Sequence, residues 1–128
     1  CVAADYFNQH APIELPKDLK AHNCFIYSYF KGKHVWPIAG GVEIQGALRV
    51  NSTVFMMEAI KQRRGIGFVP EFVCREAIEK GEVIEILEKF NKPFLTVYAL
   101  YPARHFVPPK VIQCIRFVEQ WFAQGYGK

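Results

Sequence analysis

The sequence predicts an α/β fold, a three-layer sandwich with a mixed central sheet. Three observations carry this expectation. Short apolar runs of strand length, such as Asn23 to Tyr29 and Ile66 to Val69, alternate with stretches of helical periodicity. Helix start and stop signals bracket those stretches. An apolar fraction of 51%, with 11 Phe and 6 Tyr in 128 residues, supplies a core and excludes a disordered chain.

Taken in order, Cys1 to Ala4 reads as the end of a strand, and Asp5 as the cap of a short helix carrying Tyr6 and Phe7. Pro12 and Pro16 keep the next segment out of regular helix, with one tight helical turn from Asp18 and Leu19. Asn23 to Tyr29 predicts a strand, Lys31 to Lys33 an exposed turn, and Val35 to Ile38 a short strand that Pro37 restricts to an edge. Gly40-Gly41 predicts a turn. Val42, Ile44 and Gly46 alternate with Glu43 and Gln45, so one face is dry and one wet, and Ala47 to Val50 continues as strand.

Asn51-Ser52-Thr53 offers side-chain oxygens at a helix start, and Phe55, Met56, Ala59 and Ile60 form the apolar face that follows. Lys61, Arg63 and Arg64 suit the negative end of that helix, and Gly65 suits the left-handed residue after it. Ile66 to Val69 predicts a short buried strand. Pro70 opens a second helix, with Val73, Cys74, Ala77 and Ile78 on one face and Gly81 as its stop. Glu82 to Leu87 is extended, with Ile84 and Ile86 on one side, and Asn91-Lys92-Pro93 turns the chain. Phe94 to Tyr101 is almost wholly apolar and predicts a central strand covered on both faces. After the loop Pro102 to Pro108, Pro109 starts a last helix striped by Val111, Ile115, Val118 and Phe122, which Cys114 and Trp121 widen.

Enzyme chemistry finds little support. Ser28 and Ser52 are the only serines, and neither stands in a nucleophile elbow. Gly65-Ile66-Gly67 is not a dinucleotide fingerprint, and no Gly-Lys-Ser/Thr follows Gly40-Gly41. His10, His22, His34 and His105 are scattered, and Cys1, Cys24, Cys74 and Cys114 lack zinc spacing. No metal or cofactor is expected. A net charge of +4 permits weak attraction to anions without defining a nucleic-acid surface, so weak and unspecific DNA binding is expected of this chain alone. No apolar run approaches the roughly eighteen residues of a membrane span. Nor do the first residues read as a signal peptide; they read as a chain that begins in the middle of a longer one.

A binding site is easier to build. A strand ending at Val50 and a helix starting within Asn51-Ser52-Thr53 would aim backbone amides, hydroxyls and a helix dipole at one point. That arrangement suits a small organic anion or carboxylate. Capping alone is the plainer role for Ser52 or Thr53, and the two roles are compatible.

In order and spacing the chain resembles the effector-binding domain of LysR-type transcription regulators. Leu15-Pro16-Lys17-Asp18-Leu19 followed by His22-Asn23-Cys24-Phe25-Ile26 is similar to one family stretch, and Trp36-Pro37-Ile38 occupies the place of another. Leu48-Arg49-Val50-Asn51-Ser52 resembles the ligand-side strand and helix start. Gly65 to Pro70 and Glu79 to Leu87 resemble two further segments, with Val83 in place of a usual Leu. Leu95 to Pro102 and Val111 to Phe122 resemble the closing strand and helix.

The resemblance implies one subdomain of a type 2 periplasmic-binding-protein-like fold, in which two subdomains flank an effector cleft. It assigns residues 1–101 to the second subdomain, and residues 102–128 to a segment and helix returning to a largely absent first one. It places Ala3 and Ala4 at a crossing between subdomains, where the family's Ala-Ser-Pro is Ala3-Ala4-Asp5 here. Ala3, Ala4, Asn51, Ser52, Thr53, Gly67, Phe68 and Val69 are the implied effector-lining residues. The implied protein is cytoplasmic and homo-oligomeric, with residues 52–64 facing a partner, and binds DNA through an N-terminal winged helix-turn-helix absent from this chain. A solute-binding protein of a transport system, or an enzyme on a related cleft such as prephenate dehydratase or porphobilinogen deaminase, are the alternatives. Ile115, Val118 and Phe122 are expected to be buried by something other than residues 1–101.

Overall fold

The computed structural model describes residues 1–128 except 30, 31, 33, 91, 94, 95, 103–106 and 126–128. It divides into two units, Cys1–Phe94 and Leu95–Lys128.

The first unit is built around a mixed sheet whose strands are short. β1 (Val2–Ala3) leads directly into α1 (Ala4–Gln9), and a 3-10 segment follows over Pro16–Ala21. β2 (Ile26–Tyr27), β3 (Val35–Trp36), β4 (Val42–Glu43) and β5 (Arg49–Val50) come next, then α2 (Thr53–Lys61), α3 (Glu71–Glu79) and β6 (Val83–Ile84). β2 and β5 pair in parallel, Ile26 with Arg49 and Tyr27 with Val50. On the other side of β2, Cys24 bridges Ile66 in parallel, with the Phe25 amide donating to the Ile66 carbonyl. Beyond Ile66, the Gly67 amide donates to the Cys1 carbonyl and the Cys1 amine to the Gly67 carbonyl, the reciprocal pattern of antiparallel neighbours. β1 then pairs antiparallel with β6, Val2 opposite Ile84 and Ala3 opposite Val83. The spatial order is therefore β5, β2, the Ile66 segment, β1, β6, with β1 alone running backwards.

Side-chain alternation sets the layers. Along the central strand Cys24 and Ile26 enter one apolar cluster, with Val2, Tyr6, Leu19, Trp36 and Ile44. Phe25, between them, enters the opposite cluster, with Met56, Ile60, Cys74, Ala77 and Val83. Thus α2 and α3 cover one face, while α1, the 3-10 segment and the β3–β4 hairpin cover the other. Each fully buried side chain such as Phe25, Leu19 or Ile60 contributes about 1.5–3 kcal/mol relative to exposure.

Several local expectations are corrected. Ala3, not Asp5, stands at the cap of α1; Asp5 lies in its first turn and pairs with Arg63 at 2.5 Å. The 3-10 segment starts at Pro16 rather than Asp18, whose carboxylate instead accepts the Glu14 and Leu15 amides. On α2 the buried residues are Met56, Met57 and Ile60, and Phe55 is 55% exposed. At 100° per residue Met57 lies beside Ile60 and takes the position expected for Phe55. Past α2, the left-handed residue is Arg63 at φ +63°, so the helix turns out before Gly65 is reached. Pro70 is the N-cap of α3 and not its first residue. Of the expected turn at Lys31 to Lys33, the two lysines lie outside the described residues.

The second unit holds α3's successor, α4 (Pro109–Gly125). Thr96 to Tyr101 forms no strand, and Val97, Tyr98 and Leu100 are well exposed. An apolar run becomes a strand only where backbone partners exist, and no strand lies among the described residues of this unit. Phe94 and Leu95, the start of the expected strand, lie outside the described residues. On α4, Val111, Ile115 and Phe122 are half-buried at helical spacing, whereas Val118 is 40% exposed. Among the described residues no helix is long and apolar enough to cross a membrane.

Candidate functional site

At its far end β5 meets the start of α2. Val50 is the last residue of the strand, Asn51 and Ser52 are exposed, and Thr53 begins the helix. Ser52 adopts extended backbone and its Oγ accepts the Phe55 amide at 3.3 Å. Met56 makes the first helical bond, back to the Ser52 carbonyl. The amides of Thr53 and Val54 therefore precede the first helical hydrogen bond and point out of the helix end, where the dipole is positive.

The neighbouring strands end at the same level. Beside β5, the Ser28 amide donates to the Val50 carbonyl at 2.7 Å, which carries Tyr27, Ser28 and Tyr29 to the edge next to Asn51. Tyr27 and Tyr29 pack edge to face at 5.8 Å, with Tyr29 73% exposed. On the other side of β2, Phe68 and Val69 follow Ile66 and are half-buried, with Phe68 tilted against Trp36 at 5.7 Å. Carboxyl ends of parallel strands, aromatic walls and a helix N-terminus thus meet along one rim, where α/β sheets commonly hold ligands.

Not all expected residues gather there. Gly67 is buried beneath α2, where a Cβ would stand 2.4 Å from Ile60 Cδ1. Ala3 is 4% exposed opposite Val83, and Ala4 is half-buried in α1. Because β1 runs backwards, Cys1 stands level with Gly67, and Ala3 falls about five residues, on the order of 16 Å, short of the rim that holds Asn51. Tyr27, Ser28 and Tyr29 were missing from the expected set. The parallel pairing that brings them beside Asn51 joins residues far apart in sequence, and the only local signal was the aromatic density of the strand.

Elsewhere the surface offers less. Lys61 pairs with Glu82 at 2.9 Å and Glu58 at 3.5 Å, and Arg63 with Asp5, so the basic group after α2 is largely neutralised by the chain's own acids. A groove of about 170 Å³ between α2 and α3 is lined by Val54, Met57, Lys61, Ala77 and Lys80; Lys80 is paired with Glu76. The four cysteines are free, and burial pushes the Cys24 thiol up to about 12. Among the described residues no group of three His, Cys, Asp or Glu could hold a metal ion.

Comparison with known proteins agrees with this architecture. A family model described as the LysR substrate binding domain matches residues 1–123. A probable HTH-type transcriptional regulator, LtrA of Klebsiella pneumoniae, is 28% identical over 104 residues, covering 77% of this chain and 33% of that protein. The regulatory domain of AphB in Vibrio vulnificus superposes with a TM-score of 0.71 at 22% identity, covering 93% of this chain and 62% of that one. The regulatory domain of CrgA, a LysR-type regulator from Neisseria meningitidis, superposes at 0.61 with 18% identity, covering 69% of this chain and 45% of that one. This chain thus spans only part of each. With nearly every residue inside the family match, and the mixed sheet in place, the chain belongs to the LysR substrate-binding domain family.

Proposed function

We propose that this chain supplies one wall of the effector site of a LysR-type regulator, and that the effector is a small organic anion with a carboxylate. The observation that carries the reading is the capped start of α2 at the ends of parallel strands. Ser52 caps the first turn, the Thr53 and Val54 amides face outward, and the Tyr27–Tyr29 pair stands on the neighbouring strand end, with Phe68 on the opposite face of the sheet. Amides and dipole favour negative charge, and exposed rings favour an apolar or aromatic body. Asn51, Ser52, Thr53, Phe68 and Val69 form this wall; Ala3, Ala4 and Gly67 stand away from it.

The whole protein is a cytoplasmic, homo-oligomeric transcription regulator whose N-terminal winged helix-turn-helix binds DNA. Family membership and the HTH-type relatives support this. They also favour a regulator over a transport solute-binding protein or an enzyme on a related cleft.

The test is a thermal-shift screen of small aliphatic and aromatic carboxylates. Stabilisation by a carboxylate, lost in its amide analogue and weakened by Thr53→Ala, supports the reading. Equal stabilisation by acid and amide, or hits indifferent to Thr53, overturn it.

A further inference from the structure

His22 closes the 3-10 segment and opens the central strand, and among the described residues it is the buried polar residue of the core, 4% exposed. Its Nδ1 lies 3.5 Å from the Tyr6 hydroxyl. Which of the two donates depends on the His22 tautomer. The other ring nitrogen, Nε2, is buried with no hydrogen-bond partner among the described residues. Above lies His10, whose ring stacks on Tyr6 at 3.7 Å and 10° and stands 6.2 Å from the His22 ring. The His10 Nδ1 donates to the Tyr6 carbonyl at 2.8 Å, a bond that a protonated His10 keeps.

We propose that Tyr6, His10 and His22 form a proton-operated latch holding α1 and the 3-10 segment against the sheet, closed while His22 is neutral and released in mild acid. Protonating His22 places a charge in the apolar cluster of Val2, Tyr6, Leu19 and Ile44, a cost that buried histidines escape only with an acidic partner. The groups that face His22 are few. From α1 come Tyr6 and His10, and a positive His10 opposes a second charge. The 3-10 segment brings Asp18, whose carboxylate is already held by the Glu14 and Leu15 amides, while Lys20 of that segment turns to Glu43. Burial first, and His10 second, hold His22 below its usual 6.5, with Asp18 pulling weakly the other way.

The sign follows. The released state binds the proton more readily, so the latch is intact above about 6.5 and weakens as pH falls from there through the lower folded value. α1 begins at the residue after β1, so its release frees the end of the strand that joins the Ile66 segment to β6.

Hydrogen exchange of this chain, corrected for intrinsic rates, tests the latch between about pH 7.5 and about pH 5.5. Protection over residues 4–9 and 16–22 is expected to fall by up to about tenfold per pH unit, the limit for one proton. Protection at Phe25 and over 56–60 is expected to hold, and His22→Gln to remove the drop. A drop that persists in His22→Gln, or one shared by the whole unit, overturns the proposal. Should His22→Gln not fold, an NMR titration of the parent chain decides: His22 titrating below 6.5, and moving upward in His10→Gln, supports the latch, and His22 at 6.5 or above refutes it.

Discussion

Gly46 and Gly67 both sit in strand-like backbone, yet a methyl group at each meets a different obstacle. At Gly46 it would stand 1.8 Å from the Cys24 carbonyl oxygen, part of the backbone that the Asn23–Gln45 bridge holds in place. At Gly67 it would meet the tips of Ile60 and Met56, which can rotate. Gly46→Ala is therefore expected to cost at or beyond the upper end of the about 1–3 kcal/mol typical of overpacking, and Gly67→Ala to fall within it. Urea midpoints of the two variants check this, and a larger loss at Gly67 contradicts it. Thiol reactivity is a second expectation at this scale. Cys24 is fully buried with its thiol pushed up to about 12, and Cys74 is raised by burial too, whereas Cys114 is exposed. Brief alkylation of the folded chain should mark Cys114 before either of them, as peptide mass spectrometry would show; early labelling of Cys24 would mean that the central strand opens. Cys74 was legible as a buried small hydrophobe because it stands in an apolar run, whereas Cys114, expected to be buried for the same reason, is exposed on a helix whose stripe is only half-covered. Asp5 was not legible as a partner of Arg63, since local spacing says nothing of a residue so distant along the chain.

The start of α2 was the best-read element, because a cap is local chemistry: Ser52 and the amide of Phe55 lie within one turn. Ser52→Ala is expected to destabilise by about 1 kcal/mol and Ser52→Gly by only a few tenths, since glycine keeps the cap backbone accessible. Thermal melts would show the order, and a larger loss for the glycine variant would contradict the cap. The helix face was read less well. Periodicity fixes that a stripe exists, but its rotation depends on how the sheet receives it, and here Met57 rather than Phe55 faces the core. Strands were read as apolar runs and found as pairs of two residues, because a strand is defined by its partner as much as by itself. The run ending at Tyr101 carries the composition of a central strand, and its described residues, Thr96 to Tyr101, carry none of the pairing.

For the molecule as a whole, composition and alternation disclosed the α/β class, and ordered motifs disclosed the family. The sheet order was not disclosed. It rests on the reciprocal bonds of Cys1 and Gly67 and on the reversed β1, which together separate Ala3 and Ala4 from the rim that holds Asn51, Ser52 and Thr53. That rim is the central claim, and NMR spectroscopy of the labelled chain tests it most directly, because weak binding to one wall of a cleft still moves amide signals. Titration with a carboxylate found by thermal shift should move Thr53 and Val54 first, then Ser28, Tyr29 and Phe68, and leave Ala3, Ala4 and the groove residues Met57, Lys61, Ala77 and Lys80 unmoved. Shifts centred on that groove or on β1, with Thr53 and Val54 still, would contradict the account.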